Sequence, residues 1–321
     1  MPTVAITDYL FPNLEIEEAI LSAAGCELRS GNDKQTAALQ SLVAEADAVI
    51  TQFAPIKADV INAMQRAKVI VRYGIGYDNV DIHAARKRGI PVCNIPDYCI
   101  DEVADHTLAF ILAVTRQVIP TTLHVRHGQW GLATPLDQLR TRRDQTVGLV
   151  GFGRIGREVT SRLAAFKCRR LVHDEFVDAD AIAAAGCEPV SLEALLEESD
   201  IVTLHCPSTP QTKGLLAAES LSRMKRGAVI VNLARGDLID TAALIDALQT
   251  GHIAAAALDV CDPEPIPSDS PLRSLPNVVV ASHIASASPK AVHTLRATAA
   301  ELAVLAVRGK PLPNEMNLPS G

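Results

Sequence analysis

The sequence predicts an α/β fold with two domains, each a parallel β-sheet covered by helices. Three observations support this prediction. The length of 321 residues suits two domains. Strand-like and helix-like segments alternate along most of the chain, as in βαβ units. The chain is 48% hydrophobic but only 3% aromatic, so small aliphatic side chains must fill the cores, as is typical of buried parallel strands.

The first hundred residues alternate regularly between the two kinds of segment. Strands are predicted at Val4–Thr7, Glu27–Arg29, Ala48–Thr51, Val69–Arg72 and Val92–Asn94. Helices are predicted between them at Glu15–Ala24, Lys34–Ala44, Lys57–Met64 and Asp81–Lys87. One longer helix, Asp101–Gln117, follows this region.

The alternation resumes in the second half of the chain. Strands are predicted at Ile201–Leu204, Val229–Asn232, Ala255–Asp259 and Val278–Ala281. Helices are predicted at Leu192–Glu197, Ala217–Met224 and Thr241–Gln249, and a final helix at Pro289–Val307.

A glycine-rich turn lies between these two regions. Gly151, Gly153 and Gly156 form a G-x-G-x-x-G that follows a short apolar run and opens a helix predicted over Arg154–Phe166. The first glycine can take turn torsions, the second lets the backbone approach a pyrophosphate, and the third lets helix and sheet pack closely. The helix N-terminus offers free N–H groups and partial positive charge to the anion. The turn therefore predicts a dinucleotide site.

An acidic residue ends the next predicted strand. The strand Arg170–His173 is followed by Asp174, at about the distance from the turn that the dinucleotide fingerprint requires. Asp174 would accept hydrogen bonds from the adenosine ribose and repel a 2′-phosphate, and Glu175 adds to that repulsion. The predicted cofactor is therefore NAD rather than NADP.

Bulk properties argue against several other classes of protein. The net charge is −7, and the charged residues are interspersed along the chain without a basic stripe. This pattern argues against a nucleic-acid ligand. No apolar run reaches 18 residues and the N-terminus lacks a signal peptide, so we expect a cytoplasmic protein without a membrane partner. His124 and His127 have no evident third ligand nearby, and no metal is predicted.

Three predicted strands are followed by side chains that suit the reduction of a 2-keto acid. Arg235, Glu264 and His283 would lie near one another if the sheet is doubly wound, because ligand sites lie at the carboxyl ends of its strands. His283 suits a general acid, Glu264 would hold its other ring nitrogen, and Arg235 suits a carboxylate. Each residue alone is explained as readily by a structural role; the set of three indicates catalysis.

The chain resembles the D-isomer-specific 2-hydroxyacid dehydrogenases nearly from end to end. The resemblance rests on VGLVGFGRIG (147–156), LHCPSTPQTKGLL (204–216), MKRGAVIVNLARGDLID (224–240), AALDVCDPEP (256–265) and ASHIAS (281–286). It implies that Arg235, Glu264 and His283 are the catalytic residues. Besides the glycines, it implies cofactor contacts at Arg154, Ile155, Asp174, Cys206, Ala234 and Asp259.

The resemblance also implies a substrate site. The segment RYGIGYDNVD (72–81) is similar to the family loop whose backbone N–H groups hold the substrate carboxylate, at Ile75 and Gly76. Arg72 matches a substrate-side arginine of phosphoglycerate dehydrogenases. Those enzymes usually have another arginine where this chain has Gln52-Phe53, which argues against 3-phosphoglycerate.

By resemblance, the fold is a flavodoxin-like substrate-binding domain, 1–99 and 288–321, into which an NAD-binding Rossmann domain, 100–287, is inserted. The implied function is NAD-dependent hydride transfer between a small D-2-hydroxy acid and its 2-keto acid, with His283 as acid/base. A homodimer built on the Asp101–Gln117 helix region is also implied.

Two alternatives remain open at this point. The segment NIPDYCIDEVADHT (94–107) is similar to bacterial relatives of C-terminal-binding corepressors, which would make the chain an NAD(H) sensor with little or no turnover. The formate dehydrogenase branch is a weaker alternative, because it has Gln at position 264.

Overall fold

The computed structural model describes residues 1–136 and 139–317. The chain divides into two compact units, one made of Met1–Cys99 with the described residues from Ala287 onward, the other of Ile100–Ser286. The second boundary falls after residue 286, one residue before the predicted one. Asp137, Gln138 and 318–321, which the prediction assigned to the two domains, lie outside the described residues.

The first unit is built on a five-stranded parallel sheet. Its strands are β1 (Thr3–Ile6), β2 (Glu27–Ser30), β3 (Ala48–Thr51), β4 (Ile70–Arg72) and β5 (Val92–Cys93), in the order β2-β1-β3-β4-β5. The helices are α1 (Glu15–Ala23), α2 (Thr36–Val43), α3 (Ala58–Ala63) and α4 (Ile82–Lys87). Strands β1, β3 and β4 are buried throughout, because helices cover both faces of the sheet. This strand order is that of flavodoxin-like folds.

The second unit is built on a seven-stranded parallel sheet. Its strands are β6 (Thr146–Val150), β7 (Arg169–His173), β8 (Glu188–Pro189), β9 (Ile201–Leu204), β10 (Ala228–Asn232), β11 (Ile253–Leu258) and β12 (Val278–Val280). Its helices are α5 (Ile100–Thr115), α6 (Val118–Arg126), α7 (Arg154–Leu163), α8 (Ala179–Ala184), α9 (Leu192–Glu198), α10 (Ala218–Arg223) and α11 (Thr241–Gln249). The order β8-β7-β6-β9-β10-β11-β12 is the Rossmann order with one added strand, and it reverses between β6 and β9.

The last helix, α12 (Pro289–Val307), packs in the first unit against α1. A buried ion pair joins them: Arg296 Nη2 lies 2.6 Å from Glu17 Oε2. Tyr73, directly after β4, donates its hydroxyl to Glu17 Oε1 at 2.9 Å. The pair therefore links both helices to the strand that precedes the predicted substrate loop.

The structure corrects several predicted elements. The helix predicted to end at Gln117 ends at Thr115, because Gln117 has a left-handed φ of 55°. The helix predicted to reach Phe166 ends at Leu163 and continues as a 3-10 turn. Among the α-helices and strands of the described residues, α6, α8 and β8 were not predicted.

No single helix of the described chain is long and apolar enough to span a membrane. Helices α5 and α6 pass that test only as a pair, with a bend of 58° between them.

Candidate active site

The glycine turn connects β6 to α7, and close backbone packing within the unit requires glycine at two of its positions. Gly151 has a φ of 99°, and a Cβ there would lie 2.7 Å from the backbone N of Cys206, in the loop after β9. A Cβ on Gly156 would lie 2.3 Å from the carbonyl oxygen of Gly151. Any side chain at either position would push apart the turn, the helix and the neighbouring loop.

Gly153 differs, because a Cβ there would meet no atom of the described chain within 4 Å. It is the N-cap residue of α7 and contributes no side-chain cap, so space lies open beside the first N–H groups of the helix. Arg154 and Ile155 are the first two residues of that helix. The open space and the partial positive charge at the N-terminus of the helix fit the pyrophosphate of a dinucleotide.

Asp174, directly after β7, is fixed to this turn by hydrogen bonds. Its Oδ2 accepts from the N–H of Phe152 at 2.7 Å, and its Oδ1 accepts from the N–H of Phe176 at 2.8 Å. Burial raises the pKa of the nearby Cys206 thiol to about 11, and the charge of Asp174 adds to the effect. Cys206 is therefore a neutral thiol whose backbone borders the turn.

The predicted acid/base pair is in direct contact. His283 Nδ1 lies 2.6 Å from Glu264 Oε1. Burial opposes ionisation of Glu264, but the hydrogen bond and charge of His283, together with the charge of Arg235, lower its pKa below the usual value. An ionised Glu264 can only accept, so His283 carries its proton on Nδ1 in this pair. The other ring nitrogen, Nε2, is then the one available for proton exchange.

Asp259 holds the loop that carries His283. Its carboxylate is buried, and its two oxygens accept from the N–H groups of Ile284 and Ala285, both at 2.9 Å. Its carbonyl oxygen accepts from the N–H of His283 at 2.8 Å, and His283 has a left-handed φ of 58°. Asp259 is predicted as a cofactor contact, and these hydrogen bonds in addition position the loop that carries His283.

Arg235 lies on a loop after β10 that two residues shape. Asn232, fully buried, accepts from the N–H of Ala234 at 3.0 Å and donates to the carbonyl of Arg235 at 2.8 Å. A Cβ on Gly236 would lie 2.0 Å from the carbonyl oxygen of Cys261. Only glycine therefore lets the arginine loop pack against the segment that leads to Glu264.

The predicted substrate loop lies in the first unit, after β4. The Gly74 carbonyl accepts from the N–H of Ile95 at 3.0 Å, and the Ile75 carbonyl accepts from Asn94 Nδ2 at 2.7 Å. With both carbonyls held, the N–H groups of Ile75 and Gly76 pair with no acceptor among the residues described. Two adjacent donors of this kind suit a carboxylate.

Arg72 is buried, and its guanidinium lies 5.7 Å from the ring centre of Phe53. Gln52 directly follows β3 and precedes Phe53 in the chain. Its side-chain oxygen accepts a hydrogen bond from the N–H of Leu10 at 2.8 Å.

The structure thus brings together, within the second unit, the residues predicted from separate strand ends. The sequence did not single out the roles of Asn232 and Gly236. A signal was present for both, since they flank Arg235 and an asparagine at the end of an apolar strand favours a turn. No group of three or more potential metal ligands occurs in the described parts of the chain.

Comparison with known proteins connects this geometry to a family. Residues 108–285 match the family model described as D-isomer specific 2-hydroxyacid dehydrogenase, NAD binding domain. A glyoxylate reductase from Korarchaeum cryptofilum is 41% identical over 278 residues, which cover 86% of this chain and 84% of that protein.

A D-3-phosphoglycerate dehydrogenase from Mycobacterium tuberculosis is 37% identical over 324 residues, covering the whole of this chain. This chain spans only 60% of the length of that relative. The crystal structure of D-lactate dehydrogenase from Aquifex aeolicus, complexed with NAD and lactic acid, superposes with a TM-score of 0.89 at 27% identity. The superposition covers 99% of this chain and 100% of that one.

The names of these relatives are those of enzymes, and they do not favour the corepressor alternative. The open helix terminus, the acid after β7 and the family match agree on NAD as the cofactor. The chain belongs to the D-isomer specific 2-hydroxyacid dehydrogenases, a family of NAD-dependent oxidoreductases.

Proposed function

We propose that this chain reduces a small 2-keto acid to the D-2-hydroxy acid reversibly, with His283 as the acid/base. The observation that carries the proposal is the 2.6 Å contact between His283 Nδ1 and Glu264 Oε1. The nicotinamide of the bound cofactor would serve as the hydride acceptor in its oxidised form and as the hydride donor in its reduced form. The contact fixes which ring nitrogen of His283 can exchange a proton with the substrate oxygen.

Each remaining residue of the proposed site has one task. Glu264, ionised, stabilises the imidazolium of His283 before it protonates the carbonyl oxygen. Arg235 binds the substrate carboxylate and polarises the carbonyl, as its planar, permanently charged guanidinium allows. In the first unit, the N–H groups of Ile75 and Gly76 are proposed as carboxylate donors, as predicted, and Arg72 as a substrate-side cation.

The cofactor contacts follow the predicted residues. Gly151, Gly153 and Gly156, with the N–H groups of Arg154 and Ile155, would hold the pyrophosphate. The remaining contacts are proposed at Asp174, Cys206, Ala234 and Asp259. Asp174 keeps free lone pairs after its two backbone hydrogen bonds, because a carboxylate has about four acceptor sites.

The proposed substrate has a small, uncharged substituent. Gln52 and Phe53 add no second positive charge to that of Arg72, and Gln52 Oε1 is already engaged by Leu10. This favours the glyoxylate-reductase side of the family over 3-phosphoglycerate. The formate dehydrogenase branch is disfavoured because Glu264 is a carboxylate rather than an amide.

A homodimer is proposed from the exposed apolar side chains of one segment, 118–136. They are Val118, Ile119, Leu123 and Val125 on α6, followed by Trp130, Leu132 and Leu136. Helix α5, in contrast, buries its apolar side within its own unit. The proposed interface therefore lies after the predicted Asp101–Gln117 helix, and light scattering that shows a monomer would refute it.

All seven cysteines are free thiols, which suits the cytoplasm.

Oxidation of NADH, followed by its absorbance, tests the function on a panel of keto acids. The panel comprises glyoxylate, pyruvate, hydroxypyruvate, 2-ketogluconate and phosphohydroxypyruvate. We expect turnover with at least one small uncharged member and little with phosphohydroxypyruvate. Tight NADH binding without turnover on any of them would favour the sensor alternative.

A further inference from the structure

We infer that Phe176 is the residue on which the adenine ring of the cofactor stacks. Its side chain is 93% exposed, although it is among the most apolar of side chains. It lies two residues after Asp174, the proposed ribose contact, and outside the segment 118–136 that we assign to the dimer. Packing within the unit therefore gives no reason for a phenylalanine here.

Phe176 is held in place by its backbone. Its N–H donates to Asp174 Oδ1 at 2.8 Å, while Asp174 Oδ2 accepts from the N–H of Phe152 at 2.7 Å. One carboxylate thus ties the backbone of residue 176 to the glycine turn. The exposed ring is attached to the cofactor site by two short hydrogen bonds rather than carried by a free loop.

Connectivity of the ligand would place a flat aromatic group near Asp174, whose carboxylate holds the backbone of residue 176. Adenine is bonded to the same ribose whose hydroxyls Asp174 is proposed to bind, so the base would lie next to that carboxylate. The other boundary of the region is the loop after β9, whose Cys206 backbone lies against Gly151. An exposed phenyl face next to a ribose-binding acid is chemically complementary to the π-face of a purine.

Removing an aromatic ring on which a base stacks lowers the affinity about 5- to 150-fold. The test is calorimetric binding of ADP-ribose, NADH and reduced nicotinamide mononucleotide, which lacks the adenosine half, to the full chain and to three variants. We expect Phe176→Ala to weaken ADP-ribose and NADH about tenfold and to leave the mononucleotide within about twofold.

The other two variants separate stacking from simple apolar contact. Phe176→Trp keeps an aromatic face and should bind ADP-ribose within about twofold of the original chain, whereas Phe176→Leu should lose most of the affinity. Thermal unfolding of all three should be unchanged, because the side chain is exposed.

The inference is overturned if Phe176→Ala binds ADP-ribose as tightly as the original chain, or if Phe176→Leu retains full affinity. It is also overturned if the mononucleotide weakens as much as ADP-ribose. Since ADP-ribose carries no nicotinamide, these results do not depend on whether the chain reduces a keto acid with His283 as the acid. Failure of this inference is therefore distinguishable from failure of the proposed function.

Discussion

The substitution Glu264→Gln removes a negative charge from the acid/base pair while it keeps an oxygen that can accept from His283. The structure places this oxygen 2.6 Å from His283 Nδ1. A hydrogen bond to a charged group contributes about 1.5–3 kcal/mol, and a neutral one about 0.5–1.5 kcal/mol. The charge therefore stabilises the imidazolium by about 1 kcal/mol or slightly more.

Screening by solvent keeps this stabilisation of the imidazolium near about 1 kcal/mol, because the Glu264 side chain is 39% exposed. At about 1.4 kcal/mol per pH unit, 1 kcal/mol corresponds to about 0.7 pH unit. Reduction of a keto acid needs the protonated imidazole, so its rate falls as pH rises. We expect the midpoint of that fall to move about 0.7 unit toward lower pH in the variant.

The assay is kcat for keto-acid reduction measured from pH 5 upward, where Glu264 is ionised in the original chain because its pKa is lowered. Asp262→Asn is the matched control, since it removes one exposed acidic charge two residues away and should leave the midpoint in place. An unchanged midpoint in Glu264→Gln, or an equal shift in the control, would refute the proposed coupling.

Three further predictions concern the turn and the stability of the two units. Gly153→Ala should weaken NADH binding at least about tenfold and leave thermal stability unchanged. Gly156→Ala should also lower the melting temperature, because at Gly156, unlike Gly153, the added Cβ would clash with backbone. Arg296→Met should lower the free energy of unfolding in urea by about 3–5 kcal/mol, since it leaves the buried Glu17 carboxylate without its cationic partner. The further change Glu17→Gln should recover part of that loss; no recovery would contradict the charge argument. Burial lowers the pKa of His205 from 6.5 to about 4, so the unfolded chain binds a proton in this interval that the folded chain does not. Stability should therefore be retained above pH 6.5 and fall by up to about 3 kcal/mol toward pH 4, and His205→Gln should flatten this dependence.

The sequence predicted the alternating elements well because each depends on local pattern. It failed where a tertiary choice decided the outcome. Gln117 takes a left-handed conformation without being glycine or asparagine, and its side-chain amide donates to the carbonyl of Val114 at the end of α5. Strand β8 has two residues and both are exposed, so no apolar run could mark it. It exists because β7 offers an edge to pair with.

The residues of the site were predictable as types, but several of their tasks were not. Arg235, Glu264 and His283 stand out by chemistry and by their place after strands. Asp259 looks like a loop acid in sequence, and its task depends on N–H groups more than twenty residues away, at Ile284 and Ala285. Such long-range hydrogen bonds leave no local pattern. The same holds for Gly236, whose close approach to the segment before Glu264 appears only in three dimensions.

The central claim, that His283 transfers the proton during NAD-dependent reduction of a 2-keto acid, is tested most directly by His283→Asn. Turnover of the best keto acid and NADH affinity are measured on the same preparation. We expect kcat to fall at least about 100-fold while NADH affinity stays within about twofold, because the imidazole is the acid and the cofactor site lies on other residues. Undiminished turnover with intact NADH binding would contradict the account.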